Sequence, residues 1–470
     1  MAFGSRRKIP PRRFDAWRFG VRPVVLWGVQ RIMTVSAKSV NRGWRLLLCA
    51  AVPACAIVPA RAQVGESLLL PPVVPPGFNR GRNQSVVELP RRAFDPVGIR
   101  IGSFNLLPSI QSGGGATSNT YYTAEPTASA FIATTPSATL ISRWNRHELM
   151  VSGTGTFREY LGQSRRNEAT WQSDVRGRVD LGRFSSVTVE EISTQQNESQ
   201  FTGEVTPIVA ALSRYRRDFL SVRGVNQVGR TRTTISADYA LFRYQPIPLL
   251  SGETRDQAYR DRNIARVTGQ FEYALSPSLA VFVQGSFANQ AFRTEFSPGV
   301  PNLDSNGYRA LSGINFDLPG KMRGSFGIGY THQDFQAALY KPVSGLSFEG
   351  QLEVFPSRLT TVTFGARRSI EITNLGTSGA YFNSRVNARI DREVWRGILV
   401  NATAEYTRQN YVYSTQTASG YRFGTGARYL SSRRVVLDGS LSYANRSSSS
   451  GILGNEYDEV RGEVGLTFRI

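Results

Sequence analysis

Residues 321–335, KMRGSFGIGYTHQDF, alternate apolar and polar side chains along most of their length. Met322, Phe326, Ile328 and Tyr330 share one set of alternate positions. Successive side chains of a β-strand point to opposite faces, so the pattern predicts a strand with one apolar and one polar face. Comparable segments follow one another from residue 98 to residue 470, and no apolar helical stretch interrupts them. The sequence therefore predicts an all-β fold.

The connections between these segments alternate in length. Short turns are predicted near residues 181–184, 227–231, 276–278, 318–321, 355–358, 393–397 and 430–434. Longer polar loops are predicted at 245–261, 290–305 and 445–456. Transmembrane β-barrels have tight periplasmic turns and longer extracellular loops. We therefore expect a closed antiparallel transmembrane β-barrel, because lipid cannot satisfy the backbone groups of an open sheet edge.

The pattern predicts about 18 strands, the first near residues 99–107 and the last near 457–470. A count of 16 stays open, because Pro136 falls in the second strand and residues 212–226 alternate poorly. A proline removes one hydrogen bond from a ladder. A β-propeller would need four short strands in each blade, and a periplasmic β-sandwich would be shorter than this patterned region. The barrel is the best fit to the sequence.

Residues 1–62 are expected to be a signal peptide. A short apolar run at 46–58 follows basic residues and precedes Ala60-Arg61-Ala62, a small-x-small cleavage pattern. The run is too short to span a bilayer as a helix. Translation could start at Met33, since residues before it are surplus to this signal. A twin-arginine signal at Arg6-Arg7 and a lipoprotein site at Cys55 are weaker alternatives.

Removal of residues 1–62 changes the charge and the chemistry. The net charge falls from +21 to +10, from 44 basic and 34 acidic residues, and both cysteines are lost with the leader. The mature chain could then hold no disulfide, zinc–thiolate site or catalytic cysteine. Its arginines are spread at strand spacing, which argues against nucleic-acid binding. Residues 63–97 are proline-rich and are expected to form a periplasmic linker before a barrel domain at 98–470.

Three segments resemble a known family: DPVGIRIGSFNLLPSI at 95–110, SATLISRWNRHELMVSGTGTFREY at 137–160 and VRGRVDLGRF at 175–184. Together with the pattern up to residue 470, they are similar to the putative β-barrel porin 2 family. The resemblance implies outer-membrane insertion and a pore-like barrel. It also weakly implies a role in the transport of surface polysaccharide. One departure is that Phe468 is followed by Arg469 and Ile470, whereas such barrels usually end on an aromatic residue.

Strand parity assigns a set of charged residues to the barrel interior. The predicted pore-lining residues are Arg176, Arg178, Arg266, Arg323, Arg367, Arg385, Arg389, Arg422, Arg428, Glu349 and Glu353. They could form a solvated, salt-bridged wall. They could also create a field that favours anions, since rings of arginine select anions in pores. No catalytic, cofactor-binding or metal-binding residues are predicted.

A histidine and an acid leave an outer-membrane hydrolase open as a third interpretation. His332 is followed by Asp334 near the end of a strand, but the sequence shows no nucleophile beside them. His147, beside Trp144, is expected at a periplasmic turn.

We predict a non-enzymatic outer-membrane channel for small polar or anionic solutes, with an accessory role in exopolysaccharide export as the alternative. Expected partners are outer-membrane lipid and lipopolysaccharide, the barrel-assembly machinery and the solutes or polysaccharide, without nucleic acid; a homo-oligomer stays open.

Overall fold

The computed structural model describes residues 83–201, 211–249, 251–373 and 379–470. The predicted signal peptide and the first part of the predicted linker lie outside these ranges. Within them the chain forms one long antiparallel sheet of eighteen barrel strands. These strands are β2 (Phe104–Thr117), β3 (Ser129–Ser142), β4 (Glu148–Tyr160), β5 (Glu168–Asp180), β6 (Ser185–Asn197), β7 (Arg214–Val228), β8 (Thr231–Tyr244), β11 (Arg262–Ser276), β12 (Leu279–Phe292), β13 (Ser305–Leu318), β14 (Met322–Phe335), β15 (Val343–Ser357), β16 (Thr360–Ile372), β17 (Ala380–Trp395), β18 (Ile398–Tyr411), β19 (Thr417–Leu430), β20 (Val435–Ser448) and β21 (Tyr457–Arg469).

The remaining elements are short. Strand β1 (Ile99–Ile101) pairs with the start of β2, and β9 (Ile247–Pro248) forms a separate hairpin with β10 (Thr254–Arg255). Single 3-10 turns occur at Val86–Glu88, Ser164–Arg166, Ala258–Arg260 and Gly451–Leu453. In the described part of the chain no helix has the length and apolar character needed to span a membrane.

The sheet closes on itself. Each barrel strand pairs with the next, and β21 returns to β2 in a register that runs from Ser109 opposite Arg469 to Thr117 opposite Arg461. Closure leaves no unpaired sheet edge, which a bilayer requires. The predicted closed antiparallel barrel is confirmed, and the strand count is eighteen rather than sixteen.

The two doubtful regions of the sequence are both strands. Residues 212–226 fall largely in β7, and Pro136 lies within β3. The ladder between β3 and β4 skips from Thr134 opposite Phe157 to Ser137 opposite Thr154, so the proline interrupts pairing locally. The predicted first strand at 99–107 is also broken, because a turn at Gly102, with φ +56°, folds β1 back on β2.

The two ends of the barrel differ, as predicted. At the short-turn end, β7 and β8 are joined by residues 229–230 and β11 and β12 by residues 277–278. At the long-loop end, β6 and β7 are separated by residues 198–213, and β8 and β11 by residues 245–261. The chain enters β2 and leaves β21 at the short-turn end.

Contacts that skip strands identify the inner surface. Arg158 on β4 lies 3.4 Å from Glu463 on β21, with β3 and β2 between them. Arg309 on β13 lies 3.0 Å from Glu349 on β15, across β14. Side chains converge on the concave side of a curved sheet, which favours such contacts there. On β14, Ile328 is on the convex side and 44% exposed, whereas Ser325 is on the concave side and 1% exposed.

The inner wall as candidate functional site

All eleven predicted pore-lining residues lie on the concave face by register. Nine of them form ion pairs with described residues: Arg176 with Glu190, Arg178 with Asp180, Arg266 with Asp238, Arg323 with Glu353, Arg385 with Glu405, Arg389 with Asp391, Arg428 with Asp438, and Glu349 with Arg309. Arg367 lies directly opposite Glu349 and Arg385 in the ladders. The guanidinium of Arg422 stacks 4.3 Å from the ring centre of Phe201. Whether these residues line a permeation path stays a prediction.

Seven inward arginines lie at similar depth near the long-loop end. Each is the fourth, fifth or sixth residue of its strand counted from that end: Arg217, Arg266, Arg309, Arg367, Arg385, Arg422 and Arg461. They come from seven different strands distributed over most of the sheet. We call this set the arginine belt.

A layer of carboxylates lies just below the arginine belt. Asp174, Asp238, Glu349, Glu405 and Glu463 are each the seventh residue of their strand from the long-loop end. Three of them pair with belt arginines: Asp238 with Arg266 at 2.7 Å, Glu349 with Arg309 at 3.0 Å, and Glu405 with Arg385 at 3.3 Å. Counted from the long-loop end, this carboxylate layer follows the arginine belt.

Positive charge is concentrated on one side of the wall. Arg266 is within electrostatic range of Arg217, Arg223 and Arg367, and Arg309 is within range of Arg367. Among the described residues no carboxylate forms an ion pair with Arg217 or Arg223. These two arginines lie on β7, where consecutive Arg216 and Arg217 hide the strand parity, so sequence reasoning missed them. Arg309 was also missed, although the alternation of Tyr308, Ala310 and Ile314 indicates that it points inward.

The loop after β6 reaches the opposite wall at the long-loop end. Phe201 is 1% exposed and packs on Arg422, while the side chain of Arg446 donates a hydrogen bond to its carbonyl oxygen at 3.4 Å. Glu198, in the same loop, forms an ion pair with Arg260 at 2.5 Å. Burial alone would lower the pKa of Arg260, but the Glu198 carboxylate outweighs it and the pKa is raised. Residues 198–201 therefore narrow the opening of the barrel at the long-loop end.

Residues 83–94 occupy the other mouth. The side-chain amide of Asn83 donates to Asp317 Oδ1 at 2.6 Å and its oxygen accepts from the amide of Gly320 at 2.8 Å. Arg323 donates to the carbonyl oxygen of Asn83 at 2.8 Å and forms an ion pair with Glu88 at 3.1 Å. The segment is thereby fixed to the inward face of β13 and β14 at the short-turn end.

The same segment continues along the inner wall to the end of the barrel. Val86 is fully buried in an apolar cluster with Leu399, Leu430 and Val436. Arg91 forms an ion pair with Glu393 at 2.9 Å, and Arg469 donates to the carbonyl oxygen of Phe94 at 2.7 Å. The last third of the predicted linker is therefore bound inside the short-turn mouth, which it narrows. The preceding linker residues lie outside the described ranges.

Neither histidine has the surroundings of a catalytic base. His332 is on the convex face, where its Nδ1 lies 2.6 Å from Ser344 Oγ, and within the described chain no carboxylate bonds its other ring nitrogen. His147, with φ +70°, lies in the turn before β4 and accepts a hydrogen bond from the amide of Asp180 at 3.1 Å. No group of three or more His, Cys, Asp or Glu side chains in the described ranges is arranged to hold a metal ion.

Several solved structures align with most of this chain at low sequence identity. The chain is 11% identical to OpdL of Pseudomonas aeruginosa, with 79% of this chain and 100% of that chain covered and a TM-score of 0.40. The chain is 9% identical to OccK2 (OpdF) of Pseudomonas aeruginosa, solved in complex with glucuronate. That match covers 77% of this chain and 98% of OccK2, with a TM-score of 0.41. The chain is 8% identical to OccAB4 of Acinetobacter baumannii. That match covers 78% of this chain and 98% of OccAB4, with a TM-score of 0.42. Likeness at this level carries no argument about function.

One family model matches most of the chain, and no curated protein matches it significantly. The matching model is described as Putative beta-barrel porin 2 and covers residues 92–470. That range begins just inside the N-terminal segment and includes all eighteen barrel strands. The apolar convex face, the charged concave face and the unequal ends agree with this assignment. The chain belongs to the putative β-barrel porin 2 family and is a porin-like β-barrel of the outer membrane.

Proposed function

We propose that the barrel is a passive channel that favours small anionic solutes over cations of similar size. The arginine belt carries this proposal, because it places seven inward arginines at similar depth on the path from the long-loop end, which faces outward in barrels of this kind. Rings of arginine favour anions in pores. A guanidinium also binds carboxylate or phosphate through two parallel hydrogen bonds.

The carboxylates below the belt limit how tightly an anion can be held. Asp238, Glu349 and Glu405 already accept hydrogen bonds or ion pairs from belt arginines, so an anion must share those guanidinium groups. Conduction requires binding that is favourable enough for entry yet weak enough for release. Arg217 and Arg223, which lack a described carboxylate partner, are the groups that would attract the anion most.

Both mouths set the size of the solute. Residues 198–201 narrow the opening at the long-loop end, and residues 83–94 narrow the opening at the short-turn end. These restrictions support passage of small solutes rather than of folded protein or thick polymer. We further propose export with cleavage of residues 1–62, insertion by the barrel-assembly machinery and contact with lipopolysaccharide.

Conductance of the folded chain in a planar bilayer tests the proposal. We expect stable single-channel steps and a reversal potential, under a salt gradient, that shows anion preference. Arg217→Gln should reduce that preference. Arg408→Gln is the matched control, because Arg408 is exposed on the convex face of β18 and should leave selectivity unchanged. Equal effects of the two substitutions, or cation preference in the unsubstituted chain, would contradict the proposal.

The segment in the inner mouth favours one second candidate, an accessory role in exopolysaccharide export. Residues 83–94 bind the inner wall through Asn83, Val86 and Arg91, so a periplasmic partner that displaced them would open the mouth. A correctly folded barrel that conducts only after removal of residues 83–94 would favour this second candidate. Conduction by the intact chain would favour the passive channel.

A further inference from the structure

The convex surface of β5–β7 carries a polar cluster where a bilayer would meet it. This outer polar patch consists of Trp171, Glu191, Ser193, Arg216 and Asp218. Its orientation follows from register. Arg158 on β4 reaches across the concave side, Glu168 opposes it on β5, and Arg176 further along β5 opposes and pairs with Glu190 on β6. Glu190 is therefore concave, and the next residue, Glu191, is convex.

Glu191 lies in the middle of its strand. It is the seventh residue of the thirteen in β6, opposite Val175 on one side and Leu220 on the other. Val175 and Leu220 are 38% and 45% exposed and form part of the apolar convex surface. By contrast, the convex acids Glu159, Asp334 and Asp458 are each the second residue from the long-loop end of their strand. Glu191 therefore lies at a depth where lipid would replace water.

The hydrogen bonds within the patch give Glu191 at most one donor among the described side chains. Ser193 Oγ lies 2.8 Å from Glu191 Oε1 and 2.5 Å from Asp218 Oδ1. A hydroxyl group carries one proton, so it can donate to only one of these carboxylates at a time. Asp218 also accepts from Arg216 Nε at 3.0 Å, whereas Ser193 is the one described side chain that bonds Glu191. Lipid tails supply no donor.

We propose that the outer polar patch is the interface of a homodimer, in which two copies of this chain meet about a twofold axis along the membrane normal. The patch carries both signs of charge, with Glu191 and Asp218 negative and Arg216 positive. The side chain of Arg216 is 54% exposed, so it has donors to spare after bonding Asp218. A twofold axis brings the same patch of each copy together.

This arrangement gives Glu191 a charged donor, whereas within the described single chain its side-chain donor is the neutral hydroxyl of Ser193. When two identical barrels face each other, β6 of one copy opposes β7 of the other. Glu191 of each copy can then accept from Arg216 of the second copy, so the pairing forms twice. The ring centre of Trp171 lies 5.9 Å from the Arg216 guanidinium, and the ladders place Trp171 level with Arg216, beside the pair. The inference does not depend on what the channel conducts.

Cysteine cross-linking in the native membrane tests the interface. Ser193→Cys should give a disulfide-linked species of twice the chain mass on mild oxidation, because residue 193 lies near the twofold axis. Ser312→Cys is the matched control, since Ser312 is convex and opposite Ile328 at comparable depth, and it should remain monomeric. The unsubstituted chain, whose cysteines are Cys49 and Cys55, measures background. Gln195→Cys, two residues further along the convex face, serves if Ser193→Cys fails to fold.

Charge-reversal variants distinguish cross-linking through this interface from non-specific cross-linking between neighbouring barrels. Glu191→Arg and Arg216→Glu, each in the Gln195→Cys background, should each abolish most cross-linking, and the double variant should restore it. Folding is checked by the heat-dependent shift in electrophoretic mobility that closed barrels show. Absence of cross-linking in folded barrels, equal cross-linking through Ser312→Cys, a cross-link to a chain of different mass, or no rescue by the double variant would overturn the proposal.

Discussion

Ile328 and Glu191 lie at equivalent depths on the outside of the barrel. Each is the seventh residue of its strand from the short-turn end, on β14 and β6, respectively. Ile328 lies between Ser312 and Phe348 on a surface rich in apolar residues, whereas Glu191 lies within the outer polar patch. Alternation identifies which face a residue occupies, but the chemistry of the residue identifies what that face meets. We infer that the environment of Ile328 on β14 is lipid and that the environment of Glu191 on β6 is protein.

The largest effect is expected from a charge placed on the lipid-facing side of this comparison. Ile328→Arg should lower the free energy of unfolding in lipid vesicles by about 2–4 kcal/mol, because arginine at mid-bilayer depth is costly. Ile328→Glu should cost less than Ile328→Arg, since acidic residues are tolerated better there. Reversible unfolding in denaturant, followed by tryptophan fluorescence, gives both values. A loss below about 0.5 kcal/mol would contradict the assignment of Ile328 to lipid.

A smaller effect, an increase in the free energy of unfolding, is expected from replacing Glu191 in the outer polar patch. Glu191→Leu should raise the free energy of unfolding by about 1 kcal/mol in vesicles dilute enough to hold single barrels, because an acid is removed from lipid. The same substitution should reduce the dimer fraction in concentrated membranes. Val189→Leu, on the same convex face two residues away, is a control that changes neither charge nor face. Destabilisation of the monomer by Glu191→Leu would contradict exposure of Glu191 to lipid.

The smallest stability effect is expected on the concave face. Arg385→Gln with Arg389→Gln should change the free energy of unfolding by less than about 1 kcal/mol, since partly exposed ion pairs contribute little. The same variant should reduce anion preference in reversal-potential measurements. Its effect should be smaller than that of Arg217→Gln, because Arg385 and Arg389 are paired with Glu405 and Asp391. Unchanged selectivity would remove both residues from the permeation path.

Most of the fold could be predicted from the sequence. A strand with one apolar and one polar environment alternates apolar and polar residues, and this alternation shows which face each side chain occupies. Clear alternation placed Arg323 and Ile328 on opposite faces, and the structure agrees. It failed where neighbouring residues have the same chemistry. Glu190 next to Glu191 and Arg216 next to Arg217 conceal the parity of β6 and β7. The polar patch was therefore missed, and so was Arg217, the belt arginine on β7.

The N-terminal segment could not be predicted for a different reason. Its contacts join residues far apart in sequence, such as Asn83 with Asp317 and Arg91 with Glu393. No local pattern encodes such pairs, and a proline-rich stretch before them resembles a free linker. The buried Val86 gives no periodic signal because it is followed by Val87 and Glu88 in a single 3-10 turn.

The position of this segment has a consequence for the order of assembly. Barrel closure joins β2 to β21, the two strands most distant in sequence, and loop-closure entropy opposes that step. The amide of Gly98 donates to the carbonyl oxygen of Ile470, and Arg469 holds Phe94 beside the same seam. The binding site for residues 83–94 is complete only when β13 to β21 are in place. We therefore expect the segment to dock late in folding, to couple the two ends of the barrel domain and to oppose reopening of the finished barrel.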